Sequence, residues 1–526
     1  MSSESLHSTP VELETRVSAS SLAEETEQRT GSSNRTRDAF ARHLIVFTSA
    51  NILSLSCNAV LAFLLPRWLS VEEYGHYRLF ILCSAFVGVV HAGFVDGLLL
   101  RWAARPVQRM RLELKSSLRF MFAQHAIILL PVVLVAFTSW DNGPWPRMVV
   151  AVAAFAVAWN WTSLGQSALQ ATKRFEVLSV FTLATPVCML LCTCGLRARS
   201  SLNARMLTGA YTLSFLLLAI GQWALVQRQC VDRFESMIDR RGMWRAWVCG
   251  TAHLKLGWSI LLANLVVAVA LSLDRILLGA WFSIRDFAVY SFAANALSLN
   301  YTMIVSITRV VLPYFSQGSW NQSRARLYWL GQEAIIILWA GGLASFFAVA
   351  PLVRHWLPRY VDSLILIRTL MLAIGFSANI FVLHGTYFWI ARKQQRFLVG
   401  SLTGLVSAGL FLCWGWRSHA INLIAVAMVA SAAVWWLVDE FLLRDELSHS
   451  IGQIFRSFGL IALCGAVFLV CAAGDQWVGS IAYVLWMVCL IRIAGRRTLN
   501  VVRSSLSRRL LPLPGLRTPT SSEYQG

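Results

Sequence analysis

Charge is what this chain has least of. Of its 526 residues only 14% are Asp, Glu, Lys or Arg, while 57% are hydrophobic. A soluble domain averages about 25% charged residues, so a set of water-soluble domains is excluded and most of the surface must face lipid. The mean hydropathy of +0.59 says the same. Acidic residues are scarcer still, 26 against 46 Lys and Arg, for a formal net charge of +20. The positive excess lies in short loops between apolar stretches and in the two tails. Positive-inside bias produces that placement, so no nucleic acid is called for as a partner. A phosphate-cradling GxxxxGK[ST] loop is absent, which excludes direct ATP drive by this chain. Cys192 and Cys194 lie two apart, without the CxxC or Cys/His spacing of a zinc site. Most of the eleven cysteines fall within apolar spans, where a free thiol acts as a small hydrophobe. Neither a metal nor a cofactor is expected.

What is there in abundance is apolar runs of about 20 residues, the length that crosses a bilayer as a helix. Fourteen are predicted. Six come first: Leu44–Leu65, Leu79–Leu100, Leu118–Thr138, Met148–Leu169, Val177–Leu196 and Met206–Val226. After a polar connector come Gly257–Leu278, Phe292–Pro313, Ala334–Val353, Leu364–Tyr387, Phe397–Trp416 and Ile421–Leu443. The last pair is Ile454–Ala473 and Trp477–Ile493. The expected organisation is a disordered, Ser-, Thr- and Glu-rich cytoplasmic tail (1–40) and an N-terminal six-helix bundle (41–227). A cytoplasmic connector (228–248) leads to a second six-helix bundle (249–445), then the added helices 13 and 14 (446–495) and a basic cytoplasmic tail (496–526). No apolar segment of signal-peptide type opens the tail. Lys and Arg crowd the loops after spans two, six and ten, which puts both termini in the cytoplasm.

Two short segments repeat each other at a distance of 213 positions: LPRWLSVEEYGHY (Leu65–Tyr77) and LGAWFSIRDFAVY (Leu278–Tyr290). Without a gap, Trp68 falls on Trp281, Ser70 on Ser283, Glu73 on Asp286, Gly75 on Ala288 and Tyr77 on Tyr290. The same shift carries spans one and two onto seven and eight, with the remaining spans displaced by a few residues. Six spans is an even number, so the copies run the same way through the membrane, as a parallel repeat about an axis along its normal. The fold class expected is therefore all-α: a polytopic membrane protein of about 14 transmembrane helices, in two parallel six-helix repeats plus a C-terminal helix pair.

LPRWLSVEEYGHYRLF, GFVDGLLLRW and LDRILLGAWFSIRDFAVYSFA resemble segments of the multidrug/oligosaccharidyl-lipid/polysaccharide (MOP) exporter superfamily. The chain looks most like its Wzx-type polysaccharide and lipid-linked oligosaccharide flippases over about residues 40 to 495. The resemblance implies two six-helix bundles around a central, often cationic cavity lined by spans one, two, seven and eight. It also implies alternating access that moves an anionic lipid-linked glycan across the cytoplasmic (inner) membrane, with membrane lipids and polysaccharide-assembly proteins as partners. The alternative is a cation-coupled multidrug (MATE-like) antiporter of the same superfamily, which would want an intramembrane acidic cluster in one bundle. A membrane-embedded glycan polymerase or ligase is more remote, because no outer loop is long enough for a catalytic platform. The chain is thus expected to be a transporter and not an enzyme.

A cavity that carries a polar anion through lipid needs Arg, Lys, Asn or Gln to replace lost hydration with charge-assisted hydrogen bonds. The 213-residue shift pairs Asn51 with Asn264 and Asp96 with Arg309 in the helices expected to line it. Two readings stand open for each pair: substrate contact, or helix–helix hydrogen bonding and snorkelling near a span end. His253 and Lys255, at the start of span seven, are candidates to catch phosphate, or else interfacial anchors. Asp274 and Arg275 near the outer end of span seven, with Glu73 and Asp286 in the two repeated loops, are structural or gating candidates. Glu72, Glu73 and Arg78 are read as an outer loop, open to two roles: an outer gate or, by default, a solvated turn. His384, with Asp439 and Glu440, is assigned to packing or span ends.

Overall fold

A computed structural model describes residues 46, 49–103, 107–138, 144–172, 174–230, 240–299, 324–391, 393–447 and 450–493. They are helical almost throughout, with no strand among them. The helices are α1 (Ser49–Trp68), α2 (Val71–Ser84), α3 (Phe94–Ala103), α4 (Val107–Thr138), α5 (Pro144–Ala171), α6 (Phe175–Ala198) and α7 (Ala204–Cys230). The second half holds α8 (Arg240–Ala270), α9 (Leu273–Trp281), α10 (284–299), α11 (Arg324–Leu343), α12 (Ser345–Trp356) and α13 (Ser363–Ala378). It continues with α14 (Gly385–Ile390), α15 (Gln394–Arg417), α16 (Ile421–Leu447), α17 (Ile451–Ala473) and α18 (Gln476–Ile493). Among the described residues 11 helices are long and apolar enough to span a bilayer, or up to 12 when the bent α2–α3 pair counts as one. The chain is a multi-pass membrane protein. The expected count of fourteen is not reached, because α18 is shorter than a full span and the eighth segment is described only to residue 299.

The second expected span is not one straight helix. Its two parts, Val71–His91 and Phe94–Trp102, meet at 60°. The break falls where Ala92 and Gly93 take left-handed φ of 50° and 83°. The His91 ring closes it by accepting from the Gly93 N–H (3.2 Å), so the freed backbone group does not face lipid bare. Gly93 has a second reason to be glycine, since a Cβ there would lie 2.6 Å from the Gly257 carbonyl carbon. Further along the chain, Asn379–His384 forms a π-turn between α13 and α14, a distortion often found where a helix must re-aim a side chain.

The repeat is visible in the structure at the level of single hydrogen bonds. Ser70 Oγ accepts from Glu73 N (3.1 Å), and Ser283 Oγ accepts from Asp286 N at the same 3.1 Å. Each serine caps the helix that follows, α2 or α10. Packing repeats as well: α5 and α6 lie against α7 as α13 and α15 lie against α16. The equivalent helices α2 and α10 then meet each other. A Cβ on Gly75 would lie 2.7 Å from Ile284 O and 3.3 Å from Ala288 Cβ, and Ala288 is Gly75's own partner under the 213-residue shift. Close approach at the axis leaves room for one methyl, and the second copy supplies it.

Among the described residues two seams join the halves. At the end nearest Ser70, which we call the far end, α2 abuts α10, Arg67 Nη1 donates to Trp356 O (3.2 Å), and Tyr74 meets Tyr360 edge-on with ring centroids 5.7 Å apart. Burial pushes the Tyr360 phenol above its ordinary value, so it packs there as a neutral ring. At the opposite, connector end, α8 packs against α3 and α4 of the first half. A Cβ on Gly97 would collide with His253 O, and one on Gly257 with Gly93 O, so glycines let the two backbones touch.

Candidate functional site

A cavity of about 550 Å³ lies within the first half, walled by α1, α2, α5, α6 and α7 and closed by Asn295, Ser298 and Leu299 of α10. Its polar lining is Asn51, Ser54, Asn58, Tyr74, Tyr77, Arg78, Gln166, Thr182, Thr185 and Tyr211. Among the described residues no carboxylate lines it, and Arg78 is the single charged residue on its wall. The Nε of Arg78 is buried and finds no hydrogen-bond partner among the described residues. Helix α2 puts it there. With the Ser70 cap starting the helix at Val71, Arg78 stands two turns in, about 10 Å from the loop. The expectation that Arg78 belongs to an outer loop is thus corrected. The pattern Ser70-x-x-Glu73, a helix-start signature, held the signal that would have placed it.

The residues singled out from sequence do not gather at this cavity. Asn51 lines it. Asn264, its partner under the shift, is exposed on α8 and is not part of the lining. Asp96 is half-buried beside Gly97 in α3, away from that wall, and Arg309 lies outside the described residues. Lys255 is exposed, whereas His253 is fully buried beneath the connector-end seam.

Asp274 and Arg275 line a smaller space in the second half, about 180 Å³, between α9, α10, α13, α15 and α16. Tyr290 Oη donates to Asp274 Oδ2 (2.7 Å), and Arg275 Nη2 donates to Leu271 O (2.9 Å) and Ser272 Oγ (3.1 Å). These bonds tie α9 to α10 and close the carbonyl end of α8. The two loop acids have parted roles. Glu73 accepts from Ala204 N and so caps α7, while Asp286 Oδ2 accepts from its own cap, Ser283 Oγ (2.7 Å).

Sequence reasoning missed a second polar centre, buried in the other half. His384 from the π-turn places Nδ1 3.4 Å from Asp439 Oδ2 and Nε2 3.2 Å from Glu440 Oε1. Glu440 Oε1 also accepts from Tyr328 Oη (2.6 Å) and Gln332 Nε2 (2.7 Å), and Gln332 Oε1 accepts from Ser457 Oγ (2.8 Å). His384, Asp439, Glu440 and Tyr328 are all 0% exposed. Each ring nitrogen of His384 faces a carboxylate, and only the imidazolium form donates from both. These residues were assigned to packing or span ends; the structure joins them into one network across α11, the π-turn, α16 and α17.

No protein-family model matches the sequence, and no curated protein matches it. Solved structures do. The chain is similar to the lipid II flippase MurJ in its inward closed conformation, with a TM-score of 0.61 and 10% identity, covering 90% of this chain and all of that one. It is also similar to the inward-facing conformation of a multidrug resistance MATE family transporter of the MOP superfamily, with a TM-score of 0.55 and 12% identity over 76% of this chain and 94% of that one. Identities this low speak for the fold, and the fold is that of the MOP transporters.

Proposed function

We propose that the chain is a flippase of Wzx type, carrying a lipid-linked oligosaccharide or polysaccharide precursor across the cytoplasmic membrane by alternating access. The observation that supports this reading is the first-half cavity, whose described lining offers Arg78, with its buried Nε without a hydrogen-bond partner, and amide and hydroxyl groups but no carboxylate. An arginine in a span costs about 2.5–3.5 kcal/mol on insertion scales, and an anionic pyrophosphate–sugar headgroup would offset that cost through charge-assisted hydrogen bonds. Asn51 on the same wall is assigned to the sugar or phosphate oxygens. The similarity to a structure of a lipid II flippase supports a lipid-borne substrate. In this reading the connector end and both termini face the cytoplasm, Arg309 contacts the anionic headgroup, and Asp96, beside Gly97 at the seam, balances that charge or gates the path.

The test is flipping of a defined fluorescent lipid-linked oligosaccharide by the full chain in proteoliposomes. Arg78→Ala is expected to abolish flipping and Arg78→Lys to retain part of it; undiminished transport by Arg78→Ala overturns the assignment. The antiporter alternative draws on the buried His384–Asp439–Glu440 network, an intramembrane acidic cluster of the kind that reading requires. Rescue of a glycan-export mutant favours the flippase, and drug efflux from a susceptible strain without such rescue favours the antiporter.

A further inference from the structure

We propose that Glu113, Cys249 and His253 form a binding site for a thiolate-accepting divalent cation of the zinc class, lying across the connector-end seam. Among the described residues they are a group whose ligand atoms all lie within 4.8 Å of one another. Cys249 and His253 are four apart on α8, so they project from successive turns of one face, and Sγ stands 3.4 Å from Nε2. Glu113 reaches them from α4, with Oε2 4.0 Å from His253 Nε2. The Sγ–Nε2 separation suits an edge of a tetrahedron around an ion with a Zn–N bond of about 2.0–2.1 Å and a Zn–S bond of about 2.3 Å, and the Glu113 carboxylate closes in by about half an ångström on binding. One thiolate, one imidazole and one carboxylate suit zinc by ligand softness, and their two negative charges balance a divalent ion in a poorly solvated place. On binding, the Cys249 thiol gives its proton to solvent and the sulfur takes the metal. Water completes the fourth position.

Position gives the site its consequence. Helix α4 belongs to the first half and α8 opens the second, and they meet where the backbones of Gly97 and His253 touch. A metal held by both helices pins this seam, which must part in any conformation open at the connector end. Arg101 Nη2 holds Glu113 Oε1 at 3.1 Å and so orients the carboxylate, which makes Arg101 a positioning residue. Binding can be read without transport, and its failure is therefore distinct from failure of the flippase reading.

The experiment titrates cobalt(II), a spectroscopic stand-in for zinc, into the full chain in detergent. The expected result is one thiolate-to-cobalt charge-transfer band with the intense visible absorption of four-coordinate cobalt, both removed by zinc(II). Cys249→Ser should lose the charge-transfer band, Glu113→Gln and His253→Gln should weaken binding, and Arg101→Gln should weaken it by about ten-fold. Cys413→Ser, at an exposed thiol on α15, should leave the spectrum unchanged. Should a variant fail to fold, alkylation of the unmodified chain read by mass spectrometry still decides, because zinc should protect Cys249. Absence of the band in the unmodified chain, its persistence in Cys249→Ser, or equal labelling of Cys249 with and without zinc overturns the proposal.

Discussion

The two halves descend from one pattern, yet one is hollow and the other is pegged shut. In the first half two apolar patches stand apart from the main core, one around Phe94, Trp102 and Phe120 at the connector end and another around Phe80 and Phe155. The 550 Å³ cavity with Arg78 opens between its helices. The main core runs from Leu61 of α1 through α2 and across the second half to Leu490, and between the second-half helices equivalent to the cavity walls the described residues leave a space of about 180 Å³. The buried His384 network crosses that core. At the positions 213 residues before His384 and Asp439 the first half has Ala171 and Val226. Once a helix bundle is duplicated, a few polar substitutions can turn one copy into a rigid frame and leave the other free to hold a ligand.

The largest test of this contrast is His384→Ala. It leaves two buried carboxylates without their shared partner, a change that typically costs about 3–5 kcal/mol. Thermal unfolding in detergent should show a correspondingly large drop, and a drop no greater than that of a surface substitution would falsify the pegged-half view. Next comes the seam. Gly257→Ala forces a Cβ into the Gly93 carbonyl, and overpacking of this kind costs about 1–3 kcal/mol. Because the obstruction is backbone, the connector end should part, and thiol reagents should label Cys249 faster. Gly75→Ala strains the far seam instead and should leave Cys249 labelling unchanged.

A smaller effect compares the copies directly. Ser70→Ala and Ser283→Ala remove equivalent caps and should each cost about 1 kcal/mol; a large inequality between their unfolding midpoints breaks the equivalence of the repeats at this turn. Least of all should Arg78→Ala destabilise the chain, because the guanidinium it removes is one whose place in a span costs free energy, even as it removes flipping. Strong destabilisation by Arg78→Ala would make that guanidinium a structural member of the hollow half.

Much of the fold was legible because it is written locally. Hydropathy marked most spans, and the Ser-x-x-acid pattern marked the two capped turns. The bend at Ala92–Gly93 was not legible, because left-handed φ there is stabilised by the His91 ring and by Gly257, which is distant in sequence. The site was less legible than the fold. Asn51 was found because it lies in an expected lining helix. Arg78 was set aside because its neighbours Glu72 and Glu73 read as loop, and the helix that begins at Val71 carries it inward. His384, Asp439 and Glu440 looked like span-end polar residues because the partners that bury them, Tyr328, Gln332 and Ser457, come from other helices.

The sequence by itself determined the solvent, the helical class, the duplication and the caps, since each is an energy of one residue or of neighbours within a turn. Tertiary structure alone decided that Gly75 would face its own counterpart Ala288, that Arg78 would line a cavity, and that His384 would sit between two carboxylates. Those outcomes depend on how closely helices approach and at what angle. Approach distance is set by small residues on two helices at once, which no single stretch of sequence records.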